Sequence, residues 1–172
     1  MAEGLSQYAI GDWVVHHAYG IGQIKKIEIK PIHGEHVKCF RVKTKDGAFW
    51  FPKNRPDNPR IRPVATLDTI QDALKEFEKF VVDLNPDRKM WKKRIAEVKA
   101  SDDIIETSKM VRDLTILQTQ RKLNQTEQNA LRDLTDCLVN EWATAMDADP
   151  NTIRRKLHNY IQACKERASV EI

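Results

Sequence analysis

The sequence has little of what marks secreted or membrane-spanning proteins. Its three cysteines are far apart and include no C-x-x-C pair, which favours reduced thiols over a disulfide framework. No apolar run approaches the roughly 18 residues that cross a bilayer. The start of the chain has neither the basic nor the apolar segment of a secretion signal. We therefore expect a cytoplasmic protein.

Motifs of common enzymes and cofactor sites are also missing. The chain has only six glycines and contains no P-loop, no G-x-G-x-x-G and no H-E-x-x-H. His33, His36 and Cys39 have the spacing H-x-x-H-x-x-C, but structural zinc uses four ligands, and a turn at Gly34 explains the segment. The sequence predicts no catalytic residues, no metal and no cofactor. A metalloprotein that uses these three side chains is the alternative.

Charged residues are abundant, at 31% of the chain, but the two signs are unevenly distributed. Residues 1–64 contain 11 Lys or Arg against 6 Asp or Glu, residues 65–100 contain 8 against 7, and residues 101–172 contain 10 against 12. Positive charge is therefore concentrated in the first half and in residues 88–94. Such a distribution favours an anionic partner such as nucleic acid.

The first third of the chain has the pattern of short β-strands. The β-rich runs cover residues 12–16, 24–29, 37–43 and 48–51, with turn-forming residues between them. Four or five such strands predict a small barrel or a strongly bent sheet over residues 8–64, after a flexible N-terminus of residues 1–7. The proline-rich residues 52–63 cannot form a central strand or a helix, so we expect an extended connection between two domains.

From about residue 65 the apolar residues recur at helical spacing. The first helical face consists of Leu67, Ile70, Leu74, Phe77 and Val81. Asn85 and Pro86 predict the start of a second helix, and capping signals at residues 101–103, 124–127 and 149–150 predict three more. The predicted fold class is α+β, with a compact domain of about five helices over residues 65–168 and a tail of residues 169–172.

Residues 88–94 place a tryptophan among five cationic side chains. Cations neutralise phosphates, and an aromatic ring beside them can stack on a base or insert into an opened base step. However, Trp91 shares a helical stripe with Ile95 and Val98, so an ordinary core tryptophan also explains its position. The residues alone leave both interpretations open.

Trp50 is a second aromatic candidate. Phe49 and Phe51 must point to one face of their strand and Trp50 to the other. Trp50 is thus expected either to be exposed, as a docking site for another protein, or to pack on the helical domain.

The assembled features resemble the CarD/CdnL family of bacterial RNA polymerase-binding transcription regulators over about residues 8–165. The matching motifs, in chain order, are Gly11–Val15 with Gly20–Gly22, Ile27–Glu28, Gly34–Glu35, a strand that ends at Pro52, Trp91–Arg94, and Val111–Leu114. Departures are the run His16–Tyr19, the tryptophan at position 50 and the proline-rich link from Lys53 to Pro63.

The resemblance implies a Tudor-like N-terminal β-domain that docks on the β subunit of RNA polymerase, as in the polymerase-interacting domain of transcription-repair coupling factor. It implies that the helical domain places a tryptophan in the minor groove at the upstream edge of the promoter bubble and so stabilises the open complex. The wedge then falls on Trp91, with basic support from Lys93 and Arg94. Further phosphate-contact candidates, from charge alone, are Arg88, Lys89 and Lys92.

Polymerase contacts in the family fall near Lys30, Trp50 and Pro52. The expected protein is a non-enzymatic monomer that associates with the nucleoid through polymerase, with promoter DNA as its second partner. The alternative is an adaptor that binds polymerase or another protein without touching DNA. That adaptor would bind in a salt-insensitive way and would bury Trp91 against Ile95 and Val98.

Overall fold

The computed structural model describes residues 7–55, 58–81 and 84–170. The chain divides between Val64 and Ala65 into two compact units. The predicted N-terminal extension, apart from residue 7, and the last two residues of the predicted tail lie outside the described residues.

The first unit is a five-stranded antiparallel sheet. Its strands are β1 (Trp13–His16), β2 (Gly20–Ile32), β3 (Glu35–Thr44), β4 (Ala48–Pro52) and β5 (Ile61–Pro63). Their order across the sheet is β4-β3-β2-β1-β5. Among the described residues the sheet does not close, because β4 and β5 form its two edges. The sheet is therefore open, and of the two predicted forms the closed barrel is wrong.

A β-bulge at Lys25 explains the irregular apolar pattern of β2. The pairing with β3 shifts between Ile24 and Lys26, so that Ile24 faces Val42 and Ile27 faces Phe40. One extra residue in a strand lets side chains three apart lie on one face. The core of the sheet lies on this face and consists of Tyr8, Val14, Ile24, Phe40, Val42, Phe49, Phe51 and Ile61.

The proline-rich connection ends in a strand that the sequence did not predict. Ile61–Pro63 pairs with β1 and forms an edge of the sheet. Proline is tolerated there because an edge strand needs fewer backbone donors. Residues 52–63 are therefore not only a connection.

The second unit is helical and confirms the predicted fold class. Its helices are α1 (Leu67–Lys75), a 3-10 turn (Glu76–Glu78), α2 (Arg88–Ser101), α3 (Ile104–Gln120), α4 (Gln125–Met146) and α5 (Pro150–Ser169). Met110, Val111, Leu114 and Leu117 of α3 are buried in its core. None of the helices among the described residues is long and apolar enough to span a membrane.

Two helix boundaries differ from the prediction. The first helix ends at Lys75, and the 3-10 turn keeps Phe77 in the core while Val81 lies beyond it. The second helix is capped by Asp87, whose carboxylate accepts the Lys89 N–H at 2.9 Å, rather than by Asn85. The Asp87 cap is a local side-chain bond, which apolar spacing alone does not show.

Candidate functional site

The sheet has a polar outer face, opposite its core, with a partly exposed tryptophan at its edge. Phe49 and Phe51 are buried in the core, whereas the Trp50 side chain is 41% exposed. We call the group around this ring the Trp50 surface; it consists of Lys26, Glu28, Lys30, Arg41, Trp50 and Pro52. Strand pairing brings them together, because Arg41 of β3 lies between Lys26 of β2 and Trp50 of β4.

Glu28 is the polar centre of the Trp50 surface. Its carboxylate accepts the indole N–H of Trp50 at 2.8 Å and lies 2.6 Å from the Lys26 ammonium. Lys30 is 3.6 Å from the same carboxylate. The hydrogen bond from Lys26, followed by the one from Trp50, lowers the pKa of Glu28 to about 2. The carboxylate therefore stays ionised and keeps its hold on the ring at neutral pH.

Two cations also lie over the Trp50 ring. The Lys30 Nζ is 4.4 Å from the ring centroid and the Arg41 Cζ is 5.9 Å from it. Cation–π contacts at exposed sites contribute about 0.5–1 kcal/mol each. The ring is thus held in one orientation, with the predicted contact residues Lys30 and Trp50 side by side. Pro52 follows on the same face, opposite Cys39.

The strand that carries Trp50 has an open edge. Thr44 N–H donates to the Gly47 carbonyl and Lys53 N–H to the Lys38 carbonyl, so the odd-numbered residues of β4 bond to β3. In an antiparallel pair the intervening residues direct their backbone groups outward. Ala48 and Trp50 therefore present N–H groups at the edge, and Pro52, which has none, ends that row.

The N-terminal half of α2 carries the second candidate site. Its four exposed cations, which we call the basic face of α2, are Arg88, Lys89, Lys92 and Lys93. Lys93 is 3.8 Å from Glu97, and no ion pair among the described residues involves the other three. Cations in the first turns of a helix oppose its dipole. A bound anion would relieve this repulsion.

Trp91 lies in the core of the helical unit. Its side chain is 0% exposed, and Ile95 and Val98 belong to the same cluster. Its indole N–H donates to the Asn85 carbonyl at 2.6 Å. In the free protein the ring is therefore a core residue, which is one of the two interpretations that the sequence left open. Burial against Ile95 and Val98 is also one of the two properties expected of an adaptor.

Arg94 differs from the other predicted cations because it is tied to the interior. Its Nη2 donates to Asp113 at 3.0 Å. The other carboxylate oxygen of Asp113 pairs with Arg112 at 2.8 Å, and Arg112 lies 3.1 Å from Glu76. We call these four residues the buried ionic chain. The Arg94 guanidinium also lies 4.8 Å from the Trp91 ring centroid.

The three residues with metal-like spacing do not converge. His36 and Cys39 belong to the same strand and, being three apart, point to opposite faces. His33 lies in the turn before it, with a positive φ of 50°. Among the residues that the structure describes, no His, Cys, Asp and Glu side chains form a group that could hold a metal ion. Burial raises the pKa of the Cys39 thiol.

Several residues of both sites were not predicted. Glu28 and Arg41 organise Trp50, and Asp113, Arg112 and Glu76 hold Arg94. The period of two along β2 places Lys26, Glu28 and Lys30 on one face and was an available signal. Arg112 and Asp113 lie within the matching motif Val111–Leu114, but nothing in the sequence indicated that Asp113, 19 residues away in the chain, pairs with Arg94.

Comparisons with known proteins agree with this two-unit organisation. The CarD-like/TRCF RID domain model matches residues 8–65, and the model of the CarD C-terminal domain matches residues 77–158. The chain is similar to "Putative transcription factor YdeB" of Bacillus subtilis (strain 168), with 26% identity over 137 residues that cover 78% of this chain and 89% of that protein. Because both characteristic domains are present in this order and together match most of its length, the chain belongs to the CarD family of transcription factors.

Proposed function

We propose that this protein docks on the β subunit of RNA polymerase through the Trp50 surface and stabilises the open promoter complex through α2, with Trp91 as a wedge at the upstream edge of the bubble. The observation that carries the proposal is the Trp50 ring, 41% exposed and held in place by Glu28 and Lys30 beside an open strand edge. In this proposal the protein acts in the cytoplasm as a monomer, associated with the nucleoid through polymerase.

The geometry of the Trp50 surface supports the proposed docking step. Tryptophan is enriched among the few residues that carry most of the binding energy of an interface. A partner strand can add to an open edge by main-chain hydrogen bonds, and Ala48 and Trp50 offer the donors. Since Lys26, Lys30 and Arg41 surround the ring, the partner segment is expected to be acidic. Prior ordering of the ring lowers the entropy cost of binding.

The basic face of α2 supplies the proposed DNA contact. Each phosphate that a cation neutralises releases counterions and strengthens binding at low salt. Such contacts carry little base specificity, because phosphates are the same at every sequence. Promoter targeting would come from polymerase, since docking raises the effective concentration of α2 near the bubble.

The wedge is the most demanding part of the proposal, because Trp91 must leave the core. A buried tryptophan covers about 150–250 Å², which at about 25 cal/mol per Å² corresponds to about 4–6 kcal/mol. Stacking on a base returns about 1–3 kcal/mol. The ring would therefore insert only while polymerase holds the bubble open and phosphates hold α2.

The burial of Trp91 favours a second candidate function, an adaptor that binds polymerase without direct DNA contact. Here Trp91 is only a core residue, and binding depends little on salt. The two candidates differ in what Trp91→Phe does, because phenylalanine can fill much of the same space with a smaller ring.

The test is the lifetime of the open complex on one promoter, measured with saturating wild-type protein and with variants. Our proposal expects Trp91→Phe and a fourfold Gln variant of the basic face to bind polymerase normally yet prolong the lifetime less than wild type. If the protein is an adaptor, both variants should prolong the lifetime as much as the wild type does. A further control, Lys122→Gln with Lys156→Gln, removes exposed charge elsewhere in the helical unit and should have no effect under either candidate.

A further inference from the structure

Arg94 lies at the junction of the buried ionic chain and the Trp91 ring. The ring has no exposed surface, whereas the Arg94 side chain is 37% exposed and its guanidinium is 4.8 Å from the ring centroid. The Arg94 side chain therefore covers one side of the ring. Part of that side chain is accessible to solvent, and its Nη2 is fixed by a hydrogen bond to Asp113 at 3.0 Å.

The buried ionic chain behind Arg94 has a free-energy cost, because its charges are removed from water. The side chains of Asp113, Arg112 and Glu76 are 5%, 10% and 7% exposed, and removing such charges from water is costly unless each is paired. Buried ionic groups are best understood where they impose one specific arrangement. The arrangement in this case is the position of the Arg94 guanidinium over Trp91.

We propose that Arg94 is a positioning residue that holds Trp91 in the core, and that a DNA phosphate frees the ring by competing with Asp113 for the guanidinium. This inference rests on the proposed function, for which it supplies the step that moves a buried ring. Phosphate and carboxylate offer the same bidentate geometry to arginine, so the exchange needs no new type of bond. Asp113 keeps Arg112 as its partner when Arg94 leaves.

The basic face makes this exchange depend on DNA. Lys92 and Lys93 lie on the turn before Arg94, are exposed, and would bring a phosphate backbone to the accessible end of its side chain. A single free phosphate ion lacks this support. We therefore expect release of Trp91 on a branched DNA junction but not in phosphate buffer.

The test measures the solvent accessibility of Trp91 directly. The full chain is labelled with 5-fluorotryptophan, the Trp91 resonance is assigned by its loss in Trp91→Phe, and its broadening by a soluble paramagnetic agent is recorded. We expect accessibility to rise about tenfold in Arg94→Gln and in Asp113→Asn, as loss of a charged hydrogen bond implies. Arg94→Lys, which keeps the charge, should restore part of the protection. Lys122→Gln, an exposed cation outside the basic face, is the control and should leave the accessibility of Trp91 unchanged.

A fork-junction DNA should raise the accessibility of Trp91 in the wild type at low salt. A Trp91 resonance that stays protected both in Arg94→Gln and with the DNA would overturn the inference. If Trp91→Phe shortens the open-complex lifetime while Arg94→Gln leaves the ring protected, the wedge stands and the role of Arg94 fails. If Trp91→Phe leaves the lifetime unchanged, the wedge itself fails, whatever the resonance shows.

Discussion

The two units of this protein each contain a tryptophan with the same local chemistry and the opposite environment. In both, the indole N–H is hydrogen-bonded and a cation lies over the ring: Lys30 over Trp50, and Arg94 over Trp91. Trp50 is 41% exposed and Trp91 is 0% exposed. The difference lies in what holds the cation.

At Trp50 the acid is Glu28, which is partly exposed on the sheet, whereas at Trp91 it is Asp113, inside the helical unit. A ring held by surface charges can bind a partner without disturbing the fold. A ring held by buried charges can move only if the interior reorganises. The comparison therefore separates the proposed docking residue, which is ordered and exposed in the free protein, from the proposed DNA-contacting residue, which would need a trigger to leave the core.

The largest expected contrast is in stability. Trp91→Ala should lower the free energy of unfolding by about 3–5 kcal/mol, because it leaves a cavity in the core. Trp50→Ala should lower it by less than about 1 kcal/mol, as surface substitutions usually do. Guanidinium denaturation of each variant gives both values. Similar small losses for the two would show that Trp91 is not a core residue.

The next contrast concerns the ion pairs themselves. Arg112→Ala should destabilise the helical unit by about 3–5 kcal/mol, because it removes the buried cation that Glu76 and Asp113 share. Glu28→Gln should leave the unfolding midpoint unchanged within error, since its partners remain solvated. Thermal unfolding of both variants measures the two effects. An Arg112→Ala variant with an unchanged unfolding midpoint would show that the two sites do not differ in this way.

A smaller effect is expected in the salt dependence of DNA binding. Lys92→Gln combined with Lys93→Gln should reduce the slope of log affinity against log salt by about 2, with about 0.9 for each phosphate contact. Lys122→Gln combined with Lys156→Gln removes the same charge and should leave the slope unchanged. Equal slopes in the two double variants would place the phosphate contacts elsewhere.

The pH dependence of the Trp50 surface should be the most subtle effect. The pKa of Glu28 is lowered to about 2, below its value in the unfolded chain. The ionised carboxylate therefore holds the Trp50 indole N–H at and above the ordinary glutamate pKa, and this hold is lost as pH falls toward about 2. The Trp50 indole N–H resonance should therefore keep its position at pH 4 and shift only at more acidic pH. A midpoint near the usual glutamate pKa would show that the carboxylate does not hold the ring.

Local patterns predicted the parts of the fold that depend on neighbouring residues. The capping box of Asn124 with Glu127, and the start of α5 at Pro150 after Asp149, are both observed, because such caps use bonds over three residues. The end of α1 was misplaced, since Phe77 is buried without belonging to an α-helix.

The candidate sites were only half predictable, because they depend on pairing across the chain. Glu28 and Trp50 meet only through the register of β2, β3 and β4, over a separation of 22 residues. Arg94 and Asp113 meet through the packing of two helices. The apolar stripe with Ile95 and Val98 allowed the core position that Trp91 occupies, but the residues alone left it open, and the family resemblance assigned Trp91 as the wedge.

The most direct test of the central claim compares two tryptophans on the same sheet. Trp13 of β1 is 45% exposed, close to the value for Trp50, but lies three strands away from it. The affinity for the isolated β subunit of RNA polymerase is measured for the wild type, Trp50→Ala and Trp13→Ala. We predict a loss of at least about tenfold for Trp50→Ala, as for an interface hot spot, and wild-type affinity for Trp13→Ala. Undiminished binding by Trp50→Ala, or equal losses for both variants, would contradict docking through the Trp50 surface.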